Sequence, residues 1–183
     1  MRPVARRAFR VLAVTATAAL IGSLHGPAAA SSAAVLWDLN SPAGTGMEPK
    51  RVAVDVEGNT YVTGMTWATW SPWVMKYSPA KAVLWTRTTG GGGVAVGSDG
   101  NVIVTGTAET IKYDPSGTEL WRAAGGRAVA VDASGSVYVA AVNHNATDDI
   151  GVTKLDRNGG VMWAQVYDSG QYDEAVAVAT DAQ

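Results

Sequence analysis

The strongest constraint in this chain is that its middle repeats itself. Arg51-Val52-Ala53-Val54-Asp55, Gly93-Val94-Ala95-Val96-Gly97 and Arg127-Ala128-Val129-Ala130-Val131-Asp132 bring everything downstream of them into register. A glycine turn follows each: Glu57-Gly58-Asn59, Asp99-Gly100-Asn101 and Ser134-Gly135-Ser136. Next comes a β-branched and aromatic run, Thr60-Tyr61-Val62-Thr63-Gly64, then Val102-Ile103-Val104-Thr105-Gly106, then Val137-Tyr138-Val139-Ala140. Each unit closes with a Lys pair and an apolar-Trp pair: Lys76-Tyr77 with Leu84-Trp85, Lys112-Tyr113 with Leu120-Trp121, Lys154-Leu155 with Met162-Trp163. Short alternating apolar runs between Gly, Pro and Asp-Gly turns predict four antiparallel strands per unit. The turn glycines Gly58, Gly100 and Gly135 stand 42 and 35 residues apart. Four strands in a period of about 40 residues predict the blade of a β-propeller, an all-β fold of four-stranded antiparallel blades.

Lys to Trp is nine residues in every unit (76 to 85, 112 to 121, 154 to 163), so the turn between third and fourth strands keeps its length. Gly to Lys varies over 18, 12 and 19 residues, and Trp to the next Gly over 21, 15 and 14. In an antiparallel blade the first and third turns emerge at one edge, while the second turn and the link to the next blade emerge at the other. One edge is therefore standardised and the other diversified. Variable loops held on a rigid scaffold commonly carry function, which places a ligand site on the variable edge.

The segments divide as a signal peptide (1–30), an N-terminal strand and linker (31–50) and the repeats (51–183), with blades at about 51–87, 93–122 and 127–164 and a partial one at 175–183. Ala34-Val35-Leu36-Trp37 reads as the last strand of a blade, and Val178 to Gln183 as the first strand of another. Three complete blades plus partial ones fall short of the roughly four to eight that close a ring. A truncated ring from a longer gene product, or a ring assembled from several chains, is the expectation.

Arg2, Arg6, Arg7 and Arg10 precede an uncharged stretch from Val11 to Leu24, followed by Gly26, Pro27 and Ala28-Ala29-Ala30. This is the pattern of a secretory signal cleaved after Ala30, and it implies a secreted or extracytoplasmic bacterial protein. The apolar run covers 14 residues, short of the about 18 that a membrane span requires, so no span is expected after cleavage. Arg6-Arg7-Ala8-Phe9 is similar to the twin-arginine export motif, and general secretory export is the alternative. The whole chain has 14 basic and 16 acidic residues; without residues 1–30 it has 10 and 16, a net charge near −6. That balance argues against nucleic-acid partners. Cysteine is absent, which excludes disulfides, thiol nucleophiles and thiolate metal sites.

Val52 to Gly64 (Val-Ala-Val-Asp-x-x-Gly-Asn-x-Tyr-Val-Thr-Gly) and Lys112 to Trp121 (Lys-Tyr-Asp-Pro-Ser-Gly-x-x-Leu-Trp) resemble the seven-bladed β-propeller (SBBP) repeats of exported bacterial proteins. They are also similar to pyrroloquinoline-quinone-dehydrogenase-like and NHL-type blades. The resemblance spans about residues 34–183 and implies an architecture rather than an activity. Gly97 stands where the repeat has Asp, and Ala140-Ala141 where it has Thr-Gly.

Candidate chemistry is sparse. Met65 to Trp73 places Trp67, Trp70 and Trp73 in the enlarged variable loop of the first unit, where indole faces could stack on sugar rings or other flat apolar surfaces. They could equally plug the central channel or cover a neighbouring blade. Trp37, Trp85, Trp121 and Trp163 recur once per unit and are expected to pack blades. Asn143 to Asp149 forms the enlarged loop of the third unit; His144, Asp148 and Asp149 there could meet a ligand or Ca²⁺. Without a spaced Asp-x-Asp-x-Asp order, a solvated polar loop and no cofactor are the expectation. Asp168, Asp173 and Glu174 could join Asp148 and Asp149 on the same edge. Gly90-Gly91-Gly92-Gly93 has no Lys-Ser/Thr after it and reads as a flexible inter-blade link. With one His outside the signal segment, no Ser-His-Asp set or His metal centre can be assembled. The expectation is a non-catalytic binding or scaffold module presenting variable loops to a carbohydrate or protein ligand. The alternative is a fragment of a propeller lyase, glycosidase or quinoprotein with catalytic residues in other blades.

Overall fold

The computed structural model describes residues 46–143 and 148–181. The signal segment, the strand expected at 34–37 and His144 lie outside the described residues. Within them the structure is all β: twelve strands in three four-stranded antiparallel sheets, with no helix. The first sheet holds β1 (Met47–Val54), β2 (Thr60–Thr66), β3 (Pro72–Tyr77) and β4 (Val83–Arg87) in sequential order. The second holds β5 (Val94–Val96), β6 (Val102–Thr105), β7 (Glu109–Tyr113) and β8 (Glu119–Ala124). The third holds β9 (Ala128–Val131), β10 (Val137–Asn143), β11 (Asp149–Leu155) and β12 (Val161–Tyr167). Among the first strands, β5 lies beside both β1 and β9. These sheets are three blades of a β-propeller, and among the described residues the ring is open.

The turns form where the sequence supplies Asp followed by Gly. In the first blade Asp55 Oδ1 accepts hydrogen bonds from Glu57 N (3.0 Å) and Asn59 N (2.8 Å), while Gly58 N donates to Asp55 O (3.0 Å). Asp132 repeats this with Ser134 N and Ser136 N, and Asp114 and Asp156 do so in the third turns of blades two and three. Such side-chain caps satisfy turn amides that the ladder leaves unpaired. Gly97 breaks the pattern, yet the turn closes. A Cβ on Gly97 would lie 2.6 Å from Asp99 Oδ1, so the missing side chain leaves room for the Asp99 carboxylate, which accepts from Asn101 N (3.1 Å) and pairs with Lys112 (3.4 Å).

Blades pack through alternate side chains of their strands. Tyr61, Val74 and Trp85 of the first blade meet Val102, Val104, Ile111 and Tyr113 of the second. Ile103, on the opposite face of β6, joins Val129, Val137, Val139 and Leu155 of the third. Each fully buried Val, Ile or Leu of these layers contributes about 1.5–3 kcal/mol relative to exposure. The Gly90-Gly93 link is not the flexible segment expected from its composition. It lies packed over the second blade, where Gly92 N donates to Thr105 O (2.9 Å) and a Cβ on Gly90 would stand 2.1 Å from Val104 Cγ1. Glycine is needed there because no side chain fits between link and blade.

Candidate functional site

Hydrogen bonds tie each second turn to the segment that enters or leaves its blade at the same edge. Trp67 N donates to Gly46 O (2.8 Å) in the first blade, Gly126 N to Gly106 O (2.8 Å) in the second and Asp173 N to Asp148 O (2.8 Å) in the third. This is the edge of variable connections, and two clusters stand out on it.

In the first blade the connection 67–71 is a tight hairpin. Thr66 N donates to Ser71 O (3.0 Å), Thr69 Oγ1 lies 2.7 Å from Thr66 Oγ1 and 2.8 Å from Ser71 Oγ, and Trp70 adopts a φ of 51°. Trp67 and Trp70 are 57% and 60% exposed, with ring centroids 5.5 Å apart and tilted by 60°. Trp73 does not join them. It lies in β3 directly opposite Gly64 of β2, and a Cβ on Gly64 would come within 2.5 Å of its ring. The two share one sheet face, Gly64 leaves the space the indole fills, and Trp73 is buried with its indole N–H unpaired. Of the two readings of these Trp, exposure for stacking fits Trp67 and Trp70, and burial fits Trp73, which packs within its own blade.

In the third blade Asp149, Asp168 and Asp173 each offer a carboxylate oxygen within 4.8 Å of the other two. Asp149 opens β11 and is buried. Asp168 Oδ1 accepts from Gly170 N (2.6 Å), and the Asp173 carboxylate accepts from Ser169 N and Ser169 Oγ, both at 3.0 Å. Hard oxygen donors of this kind suit a divalent cation such as Ca²⁺. Asp148 offers its carbonyl to Asp173 and adopts a φ of 52°. Glu174 pairs with Arg127 instead. The carboxylates meet through the link after β12, a fold-level juxtaposition that the separate stretches of sequence signal only as loop membership.

The opposite, standardised edge holds a cleft of about 460 Å³ between blades two and three, lined by Asp99, Lys112, Trp121, Ser134, Arg157 and others. Sequence reasoning placed no cavity there. Its polar groups are paired among themselves: Arg157 Nη2 donates to Ser134 O (2.7 Å), Lys112 pairs with Asp99 and Trp121 Nε1 donates to Arg157 O (2.9 Å). It reads as a seam between blades.

The profile of the SBBP family, a β-propeller repeat, matches residues 43–69. Among solved structures, a gluconolactonase from Xanthomonas campestris, described as important in glucose secondary metabolic pathways, is similar with a TM-score of 0.50 and 13% identity over 76% of this chain and 52% of that one. A protein of unknown function from Bacteroides caccae gives a TM-score of 0.49 and 16% identity over 61% of this chain and 42% of that one. The chain spans about half the length of these structures. At such identities the likeness shows the fold alone. No curated protein matches the chain.

Proposed function

We propose that this chain is an exported propeller module that binds a carbohydrate or a flat apolar protein surface at its variable edge, without catalysis of its own. The observation that carries this reading is the Trp67-Trp70 pair, two exposed indoles on a hairpin braced by Thr66, Thr69 and Ser71. A braced pair loses little rotamer freedom on binding, which favours stacking over a mobile loop. The Arg-rich, then apolar, then Ala28-Ala29-Ala30 pattern supports export, and N-terminal sequencing of the protein outside the cytoplasm should then begin at Ser31.

The test is retention on a glycan array by the wild-type chain and by the Trp67→Ala/Trp70→Ala double variant. Both side chains are surface groups, so the variant should fold with little change in stability. Loss of every wild-type hit is expected; unchanged retention removes the aromatic pair from the site. A second reading, part of a propeller enzyme acting on a sugar lactone, draws on the Asp149, Asp168 and Asp173 cluster at the same edge. Lactone hydrolysis that rises with added Ca²⁺ and is lost in Asp149→Asn would favour it over the binding module.

A further inference from the structure

The first and third blades carry the same three side chains on the face that looks toward the following blade. Tyr61 and Trp85 meet edge-on at 5.9 Å, and Tyr138 and Trp163 at 6.1 Å. Lys76 Nζ lies 5.1 Å over the Tyr61 ring and Lys154 Nζ 4.9 Å over the Tyr138 ring. Each tyrosine hydroxyl donates to the aspartate of its own first turn at 3.2 Å, Asp55 and Asp132 respectively. In the first blade this group is covered. Lys76 Nζ (3.0 Å) and Trp85 Nε1 (3.1 Å) both donate to Pro115 O, in the third turn of the second blade. The second blade repeats the clasp on the third: Trp121 Nε1 (2.9 Å) and Lys112 Nζ (3.4 Å) donate to Arg157 O. In the third blade no turn carbonyl among the described residues meets the pair, and Trp163 is 40% exposed where Trp85 is 8%.

We propose that Tyr138, Lys154 and Trp163 form a ready-made socket for the third turn of a further blade of the same repeat chemistry, one that takes residues 175–181 as its innermost strand. The two filled sockets state what that turn must provide. One backbone carbonyl has to accept from both the ammonium and the indole N–H. Two residues beyond it must come glycine at positive φ, because a Cβ on Gly117 would lie 2.9 Å from Trp85 Cδ2 and one on Gly159 2.9 Å from Trp121 Cδ2. Residues 175–181 already follow the third blade: Ala175 packs with Ala128 and Ala140, and Thr180 Oγ1 donates to Val131 O (3.1 Å) in β9. A second copy of this chain is a poor occupant. Its second- and third-blade turns are already clasped, and its first-blade turn carries Lys81, at a φ of 69°, where the others have glycine. The Lys81 Cβ would meet the Trp163 ring.

The test compares the parent chain with one that carries a copy of residues 100–124 after Gln183, which completes the first turn and adds three strands. Tryptophan oxidation and amine acylation, read peptide by peptide in a mass spectrometer, report on Trp163 and Lys154. In the parent both should react while Trp85 and Lys76 stay protected. In the extended chain their reactivity should fall to that of Trp85 and Lys76, and the protection should be lost when the copy of Gly117 is changed to Lys. Trp163 and Lys154 as reactive in the extended chain as in the parent overturn the proposal, whether the added strands order elsewhere or not at all. Equal protection by the Lys-bearing copy overturns the glycine requirement. A parent chain that sediments as a dimer, split to monomers by Trp163→Ala, would give the socket to a second copy and overturn the choice of occupant.

Discussion

At the scale of single residues, the turn aspartates set how this fold responds to acid. Hydrogen bonding by Ser134 outweighs desolvation and, with Ser136, Tyr138 and Lys154, brings the Asp132 carboxyl down from 3.8 to about 2. Burial raises Asp55, but hydrogen bonds from Asn59 and Tyr61 and the charge of Lys76 more than offset it and leave that carboxyl below its ordinary value. A carboxylate whose folded pKa is depressed stabilises the fold above its unfolded pKa of about 3.9, and that contribution is lost as pH falls through the folded value. The melting temperature should therefore drop between about pH 4 and pH 2. In Asp132→Asn the drop should be shallower, with a lower starting point at neutral pH; thermal scans across that window check it, and an equally steep fall would contradict the assignment. Much at this scale was legible in advance. The Asp-x-x-Gly turns follow from side-chain caps that reach only a few residues along the chain. The compensation at Gly97 was not, because it depends on where the Asp99 carboxylate swings once a side chain is missing.

At the scale of elements, the constant nine-residue spacing from Lys to Trp acquires a mechanical reason. Lys112 and Trp121 stand directly opposite each other on β7 and β8, as Lys76 and Trp85 do on β3 and β4, so each pair presents two donors side by side to one carbonyl of the next blade. An inserted residue in the third turn would put the two on different faces. Gly117→Ala should cost about 1–3 kcal/mol, because the added methyl enters the Trp85 ring while the backbone holds a positive φ. Gly170→Ala, at a similar φ with nothing within 4 Å, should cost less. Urea unfolding of the two variants with unchanged m-values measures the difference; a Gly117 variant no worse than the Gly170 one would mean that the indole yields freely. Trp73 marks the limit of reading elements from sequence. Its place in Met65 to Trp73 suggested a loop, whereas the strand pairing sets it across from Gly64 and buries it.

At the scale of the whole molecule, stability should be graded across the blades. The second blade is covered on both faces, with every residue of β6 buried, whereas every residue of β12 in the third is exposed. Amides of β6 and β7 should exchange last with solvent deuterium and those of β12 first, since local opening is easiest where few apolar contacts are broken. Uniform exchange across the three sheets would contradict a fold built of nearest-neighbour blade interfaces. The residue order alone determined the period, the four-strand units, the turn chemistry and which edge would vary, because each of these rests on alternation and capping within a few neighbouring residues. Only the tertiary structure decided which groups meet across blades: the Lys-Trp clasps on carbonyls 30 to 45 residues away, the acid cluster closed by the link after β12, and the covering of one Tyr-Lys-Trp group while its repeat meets no turn carbonyl among the described residues. Those contacts depend on which sheet faces come to lie against each other, and repeated sequences with the same local pattern carry no record of that pairing until the blades have stacked.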